Sequence, residues 1–188
     1  MIVWVSGPTG AGKSSMANLF GAFGYALVEE RLPKTTFRAF ASDPVQHCAP
    51  LQEEIMRSRY EAWQGHSKAR RVIFDRSLDE DSRVFCRMHH DLGFLNDQQY
   101  QRLGDLARSL QSVMPAPDLI IFMCPEKRVL ARRVLETAQP EMIVENLDRQ
   151  LSLYGEWIAT RREEVIRIDN SACSLQTLRH LFLGEPIC

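Results

Sequence analysis

The sequence predicts an α/β fold, a parallel β-sheet covered by helices on both faces. Short apolar runs alternate with longer segments of helical spacing along the whole chain. The runs are apolar almost throughout, as in strands buried on both sides. Three of them end on polar or glycine-rich stretches, at Ser6-Gly7, Glu29 and Asp75, and parallel sheets hold their ligands at the carboxyl ends of strands.

Residues 2–5 read as the first strand, leading into glycines. Residues 13–23 carry Met16, Leu19, Phe20 and Phe23 at helical spacing, with Gly24 as terminator. Residues 25–28 form a second strand that ends at Glu29-Glu30. A long helix is expected over 50–64, closed by Gly65, and a third strand over 71–75. Helices follow over 77–90 and 97–114, the second capped by Asn96 or Asp97. After Pro115-Ala116-Pro117, residues 118–123 give the clearest buried strand. Helices over 125–137 and 140–161, a strand over 164–169 and a helix over 175–183 complete the chain. No repeat or linker-like composition divides residues 1–188, which read as one domain.

The bulk numbers narrow the function. A formal net charge of -1 argues against a nucleic-acid polymer or an anionic membrane surface as partner. The five cysteines are scattered and none has metal-ligand spacing, so they suit a reducing compartment. No run approaches a membrane span and no basic leader precedes the first strand, which makes the cytoplasm the expected location.

Gly7-Pro8-Thr9-Gly10-Ala11-Gly12-Lys13-Ser14 satisfies the phosphate-binding P-loop pattern at every specified position. Its glycines let backbone N–H groups approach phosphate oxygens, and the following helix, with Ser15 in its first turn, points its positive end at them. Lys13 would reach the β- and γ-phosphates of ATP, and the Ser14 hydroxyl would ligate Mg²⁺. Asp75, at a strand end, would hold the metal through water.

The acceptor is indicated further along. Taken with the P-loop, Asp75-Arg76-Ser77, followed by Asp81 and Phe85, resembles the deoxynucleoside kinase family, especially its bacterial deoxyadenosine/deoxyguanosine kinase branch. Gln52 and Arg59, seven apart on one helix, resemble the family's base-reading pair and would share one side of it. Glu29-Glu30 falls where the family keeps its general base, and Glu29 aligns with that position. Residues 116–121 resemble the entry to its penultimate strand.

The resemblance implies a three-layer P-loop kinase fold with a five-stranded parallel sheet. It implies Gln52, Arg59 and Asp81 at the base edge, with Phe85 against its face and Glu141 nearest the sugar 3′-hydroxyl. Glu29 would accept the proton of the attacking hydroxyl, while Lys13, Mg²⁺ and Arg76 stabilise the transferring group. A lid is expected near residues 128–142. The family's lid Arg-x-Arg positions hold Thr137 and Gln139 here, so Arg132 and Arg133, with Arg128, carry the basic character instead. Leu51 stands where the family often has an aromatic.

The expected reaction is transfer of the ATP γ-phosphate to the 5′-hydroxyl of a deoxynucleoside, purine before pyrimidine. One alternative is a nucleoside monophosphate kinase or other small-metabolite kinase, for which Arg31, Lys34 and Arg38 could supply cations. Another is a nucleotide-binding protein of reduced turnover. A homodimer through the helices over 77–90 and 97–114 is also expected.

Overall fold

A computed structural model describes residues 1–136 and 141–172. Its centre is a five-stranded, all-parallel sheet of β1 (Ile2–Ser6), β2 (Ala26–Val28), β3 (Val72–Asp75), β4 (Leu119–Met123) and β5 (Glu164–Ile168), in the order β2-β3-β1-β4-β5. β1 lies between β3 and β4, with Val5 opposite Asp75 on one side and Ile121 on the other. The loop after β1 and the turn after β3 therefore emerge side by side.

Side-chain alternation along the strands builds two cores. Val3, Val5, Ile73, Ile121 and Met123 pack with Met16 and Leu19 of α1 (Lys13–Gly21) and Leu130 of α7 (Lys127–Glu136). Trp4, Val28, Phe74, Ile120 and Phe122 pack on the other face with Tyr154, Trp157 and Ile158 of α9 (Leu147–Ala159). A third cluster joins α2 (Lys34–Ser42), α3 (Pro44–Gln64) and α6 (Asp97–Gln111) through Phe40, Met56, Leu103 and their neighbours.

Several boundaries differ from the sequence reading. The long helix starts at Pro44, capped by Asp43, whose carboxylate accepts from Gln46 N at 3.1 Å. Pro50, expected at its first turn, is interior, where it has no N–H to bond the carbonyl of Gln46. Helix α2 was not anticipated, because Phe37 and Phe40 are its main apolar residues. The expected helix over 140–161 is two, α8 (Glu141–Glu145) and α9, separated at Asn146. There Asn146 Nδ2 donates to Met142 O at 2.8 Å, a side-chain bond that competes with helix continuation. Helix α6 begins at the expected cap, where Asn96 and Gln99 form a reciprocal capping box.

After β3 the chain forms α4 (Leu78–Glu80), a π-helical segment (Asp81–Cys86) and α5 (Arg87–Asp91) as one run, capped by Ser77. Wide turns of this kind recur at functional sites. The expected helix over 175–183 lies outside the described residues, as do Cys173, Cys188, Thr137 and Gln139. Among the described residues, no helix is long and apolar enough to cross a membrane.

Candidate active site

The loop between β1 and α1 turns on three glycines with positive φ: Gly7 at 145°, Gly10 at 81° and Gly12 at 87°. A Cβ on Gly7 would sit 2.4 Å from Met123 O, so β4 packs too closely for any side chain there. Gly12 caps α1 in the left-handed conformation, and the first-turn amides of α1 face the loop's concavity. Pro8 and Ala11 close the turn through Ala11 N to Pro8 O at 3.1 Å. Lys13 is buried and its Nζ donates to Pro8 O at 2.9 Å. Burial, then the neighbouring Arg76, pull its ammonium down to about 8, against the carboxylates of Glu30, Glu80 and Asp75.

Ser14 Oγ donates to Asp75 Oδ2 at 2.5 Å, while Asp75 Oδ1 is buried without a hydrogen-bond partner. Ser15 is exposed at the loop's mouth. Arg133 of α7 reaches back to the loop, donating to Asn170 O at 3.0 Å. Asn170 itself is buried and its Nδ2 donates to Ala11 O at 3.0 Å. Arg132 points away, exposed and 3.6 Å from Glu136. Of the two neighbouring lid arginines, the helix places only Arg133 at the phosphate loop.

Beside the loop opens a cavity of about 180 Å³. Thr9, Glu30 and Arg76 line it nearest the phosphate loop, Gln52, Asp81 and Phe85 line its interior, and Leu51, Phe40 and Phe94 give it apolar walls. Arg76 is the pivot. Its φ of 71° is the one positive value on a non-glycine among the described residues, and such strained backbone clusters at functional sites. From this turn its Nη1 donates to Gly7 O at 3.1 Å, Glu80 Oε1 at 2.6 Å and Tyr154 OH at 2.7 Å. Its Nε lies 2.9 Å from Glu30 Oε1, and its guanidinium stacks 4.5 Å over the Phe85 ring. Tyr154 OH also donates to Glu80 Oε1, so α9 and α4 hold the arginine from beneath.

The two carboxylates at the end of β2 diverge. Glu30 faces Arg76 and lines the cavity, whereas Glu29 is exposed and lines none of it. The structure thus puts Glu30, not the expected Glu29, beside Arg76. Strand alternation gives the reason, because Glu30 shares the parity of buried Val28 and so the face toward α9. Burial pushes the Glu30 carboxyl up, but Arg76, Arg59 and Lys13 outweigh it and hold the group below its ordinary value.

Arg59 is also placed differently from the expectation. It is buried behind the cavity, where Nε and Nη2 donate to the two oxygens of Asp81 at 2.8 and 3.2 Å, and Nη1 donates to Asp75 O at 2.5 Å. It reaches the interior through Asp81, with Glu30 3.8 Å away. Gln52 lines the cavity, its Oε1 3.8 Å from the Cys86 thiol. Glu141 opens α8, but its side chain lies outside what is described.

The sequence reading missed Glu80, Tyr154 and Gln150. Gln150 Oε1 accepts from Thr9 N at 2.8 Å, linking α9 to the phosphate loop. Their burial is the only signal, and nothing in the local pattern separates them from ordinary helix residues.

A phosphate loop after the first strand of a parallel sheet, facing a cavity with a carboxylate and an arginine at the junction, defines a P-loop kinase. The family model described as deoxynucleoside kinase matches residues 3–177, and the chain belongs to that family. It is an ATP-dependent phosphotransferase. Deoxyadenosine kinase of Dictyostelium discoideum is 31% identical over 179 residues, covering 88% of this chain and 70% of that protein. Deoxyguanosine kinase of Lactobacillus acidophilus is 23% identical over 149 residues, covering 74% of this chain and 64% of that protein. The structure of deoxyadenosine kinase from M. mycoides with bound dCTP superposes with a TM-score of 0.82 at 19% identity, covering 98% of this chain and 97% of that one. At that identity the likeness concerns the fold.

Proposed function

We propose that this kinase phosphorylates the 5′-hydroxyl of a purine deoxynucleoside, with Glu30 as the general base. The observation that carries the reading is the Glu30–Arg76 pair at the junction of the acceptor cavity and the phosphate loop. Glu30 takes the proton of the attacking hydroxyl as its oxygen bonds to the γ-phosphorus and the bond to the β-phosphate oxygen breaks. Arg76 and Lys13 stand beside that transfer and offset the charge that develops on the phosphoryl oxygens. The cradle is Gly7, Pro8, Thr9, Gly10, Ala11, Gly12, Lys13, Ser14 and Ser15, with Arg133 at its edge.

The Ser14 hydroxyl and the unpartnered Asp75 Oδ1 suit Mg²⁺. Among the described residues no cluster of three His, Cys, Asp or Glu could hold a metal alone. This fits an ion that keeps water and phosphate oxygens as most of its ligands. When bound it screens the phosphate charge. Gln52, Asp81 and Phe85 contact the base, and Arg59 orients Asp81 and opposes the burial that pushes its carboxyl up. The names of the two cellular relatives support a purine.

Arg31, Lys34 and Arg38 are all exposed and none lines the cavity, which favours a hydroxyl acceptor over a monophosphate. Pairing of two subunits through α4, α5 and α6, and a cytoplasmic setting, complete the proposal. Sedimentation at one subunit's 21.6 kDa alone would remove the dimer.

The test is ATP consumption with Mg²⁺ against the four deoxynucleosides and their monophosphates, with mass detection of product. A purine deoxynucleoside monophosphate as the main product is expected. Turnover of monophosphates alone would overturn the reading.

A further inference from the structure

Deep in the cavity lies a group that phosphoryl transfer does not use. His89 follows Phe85 by four residues and Asp81 by eight, so the helix face that carries those two continues onto it. The residue lines the cavity and is 6% exposed. Its carbonyl accepts from Phe94 N at 2.8 Å, and its ring packs beside Phe40 and Phe94 with centroids 5.3 and 6.0 Å away. Helix, turn and two aromatic neighbours thus fix the imidazole in place.

Nδ1 of His89 is buried and has no hydrogen-bond partner. Neighbouring polar side chains of the cavity have protein partners of their own. Glu30, Arg76 and Asp81 stand in ion pairs, Gln52 meets Cys86, and Gln150 holds Thr9. A buried nitrogen left without a partner is costly, and a phenylalanine or leucine would fill an aromatic cage without that cost.

From this we infer that His89 is a specificity-determining residue that hydrogen-bonds a polar edge of the acceptor's heteroaromatic base. The inference rests on the nucleoside reading above. Burial pulls the imidazole down to about 4, so at physiological pH it is neutral and presents one donor and one acceptor. A base that matches this pair satisfies the nitrogen, and a base that lacks the partner leaves it exposed to the full desolvation cost. His89 therefore ranks bases, while Glu30 and Arg76 act on the phosphoryl group common to all of them.

The experiment compares wild type with H89L, H89F and H89Q for kcat and KM on the four deoxynucleosides and on ATP. In H89L, KM for the preferred nucleoside should rise about tenfold, as for one lost hydrogen bond. The spread between bases should narrow, KM for ATP should hold, and H89Q should recover part of the preference. H89F keeps the packing against Phe40 and Phe94 and carries the same comparison if H89L does not fold. An unchanged base ranking, or an equal loss on all four, overturns the role of His89. A wild type that phosphorylates no deoxynucleoside removes the nucleoside reading itself and this role with it.

Discussion

Arg76 Nε stands 2.9 Å from Glu30 Oε1, an ion pair that joins the ends of β2 and β3 at the mouth of the acceptor cavity. The pair holds the Glu30 carboxylate ionised and parks the arginine beside Gly7 of the phosphate loop. E30Q should lower kcat by about 10²–10⁴, the usual range for a lost general base. E29Q should turn over at the wild-type rate. Steady-state kinetics on both variants decides between the two carboxylates, and the reverse pattern would restore Glu29.

Lys13 makes ATP binding sensitive to alkali. Its ammonium value falls from 10.5 to about 8 on folding, so the folded chain holds fewer protons between those limits. The charged lysine therefore costs stability below about pH 8, and that cost is relieved as the pH rises toward 10.5. Bound phosphates reverse the preference and draw the proton back. Above pH 8 ATP binding should take up a proton and weaken by up to about tenfold per pH unit. Calorimetry in two buffers of different ionisation enthalpy measures the uptake, and heats that do not depend on the buffer would contradict it.

The Arg59–Asp81 pair is buried on both sides, with side chains 1% and 3% exposed. R59M strands the Asp81 carboxylate and should cost about 3–5 kcal/mol in denaturant unfolding. R59M with D81L removes both charges and should recover most of that stability. Nucleoside affinity should not return with it, because Asp81 lines the cavity. Recovery of both would reduce the pair to a structural role.

His89 should make the fold acid-sensitive. Its value drops from 6.5 to about 4 on folding, so stability is complete above about pH 6.5 and declines as the pH falls toward 4. The loss attributable to this group should approach about 3 kcal/mol. Unfolding at pH 7 and pH 4.5 in wild type and H89L isolates it, since carboxylates elsewhere affect both proteins alike. Equal acid losses in the two would show that the imidazole escapes its burial on protonation.

Gly7 should tolerate no side chain. G7A places a Cβ 2.4 Å from Met123 O at a φ of 145°, so β1 and β4 must separate or the loop must refold. Loss of ATP binding or of the folded state is expected, read by thermal unfolding with and without ATP.

What the sequence determined by itself was periodic or contiguous. The apolar runs of the five strands, a cap at Asn96 or Asp97 and the phosphate loop all declare themselves within a few residues, because local sterics and alternation dictate them. Gln52, Arg76, Asp81 and Phe85 were legible only through their resemblance to the motifs of the deoxynucleoside kinase family. The tertiary structure decided everything that depends on which face meets which. It chose Glu30 over Glu29 because β2 turns only one of them toward α9. It put Arg59 behind Asp81, split the last long helix at Asn146, and turned Arg133 rather than Arg132 to the phosphate loop. It also brought Glu80, Tyr154 and Arg76 together across 78 residues of chain, since a buried charge must find its partners wherever the fold supplies them.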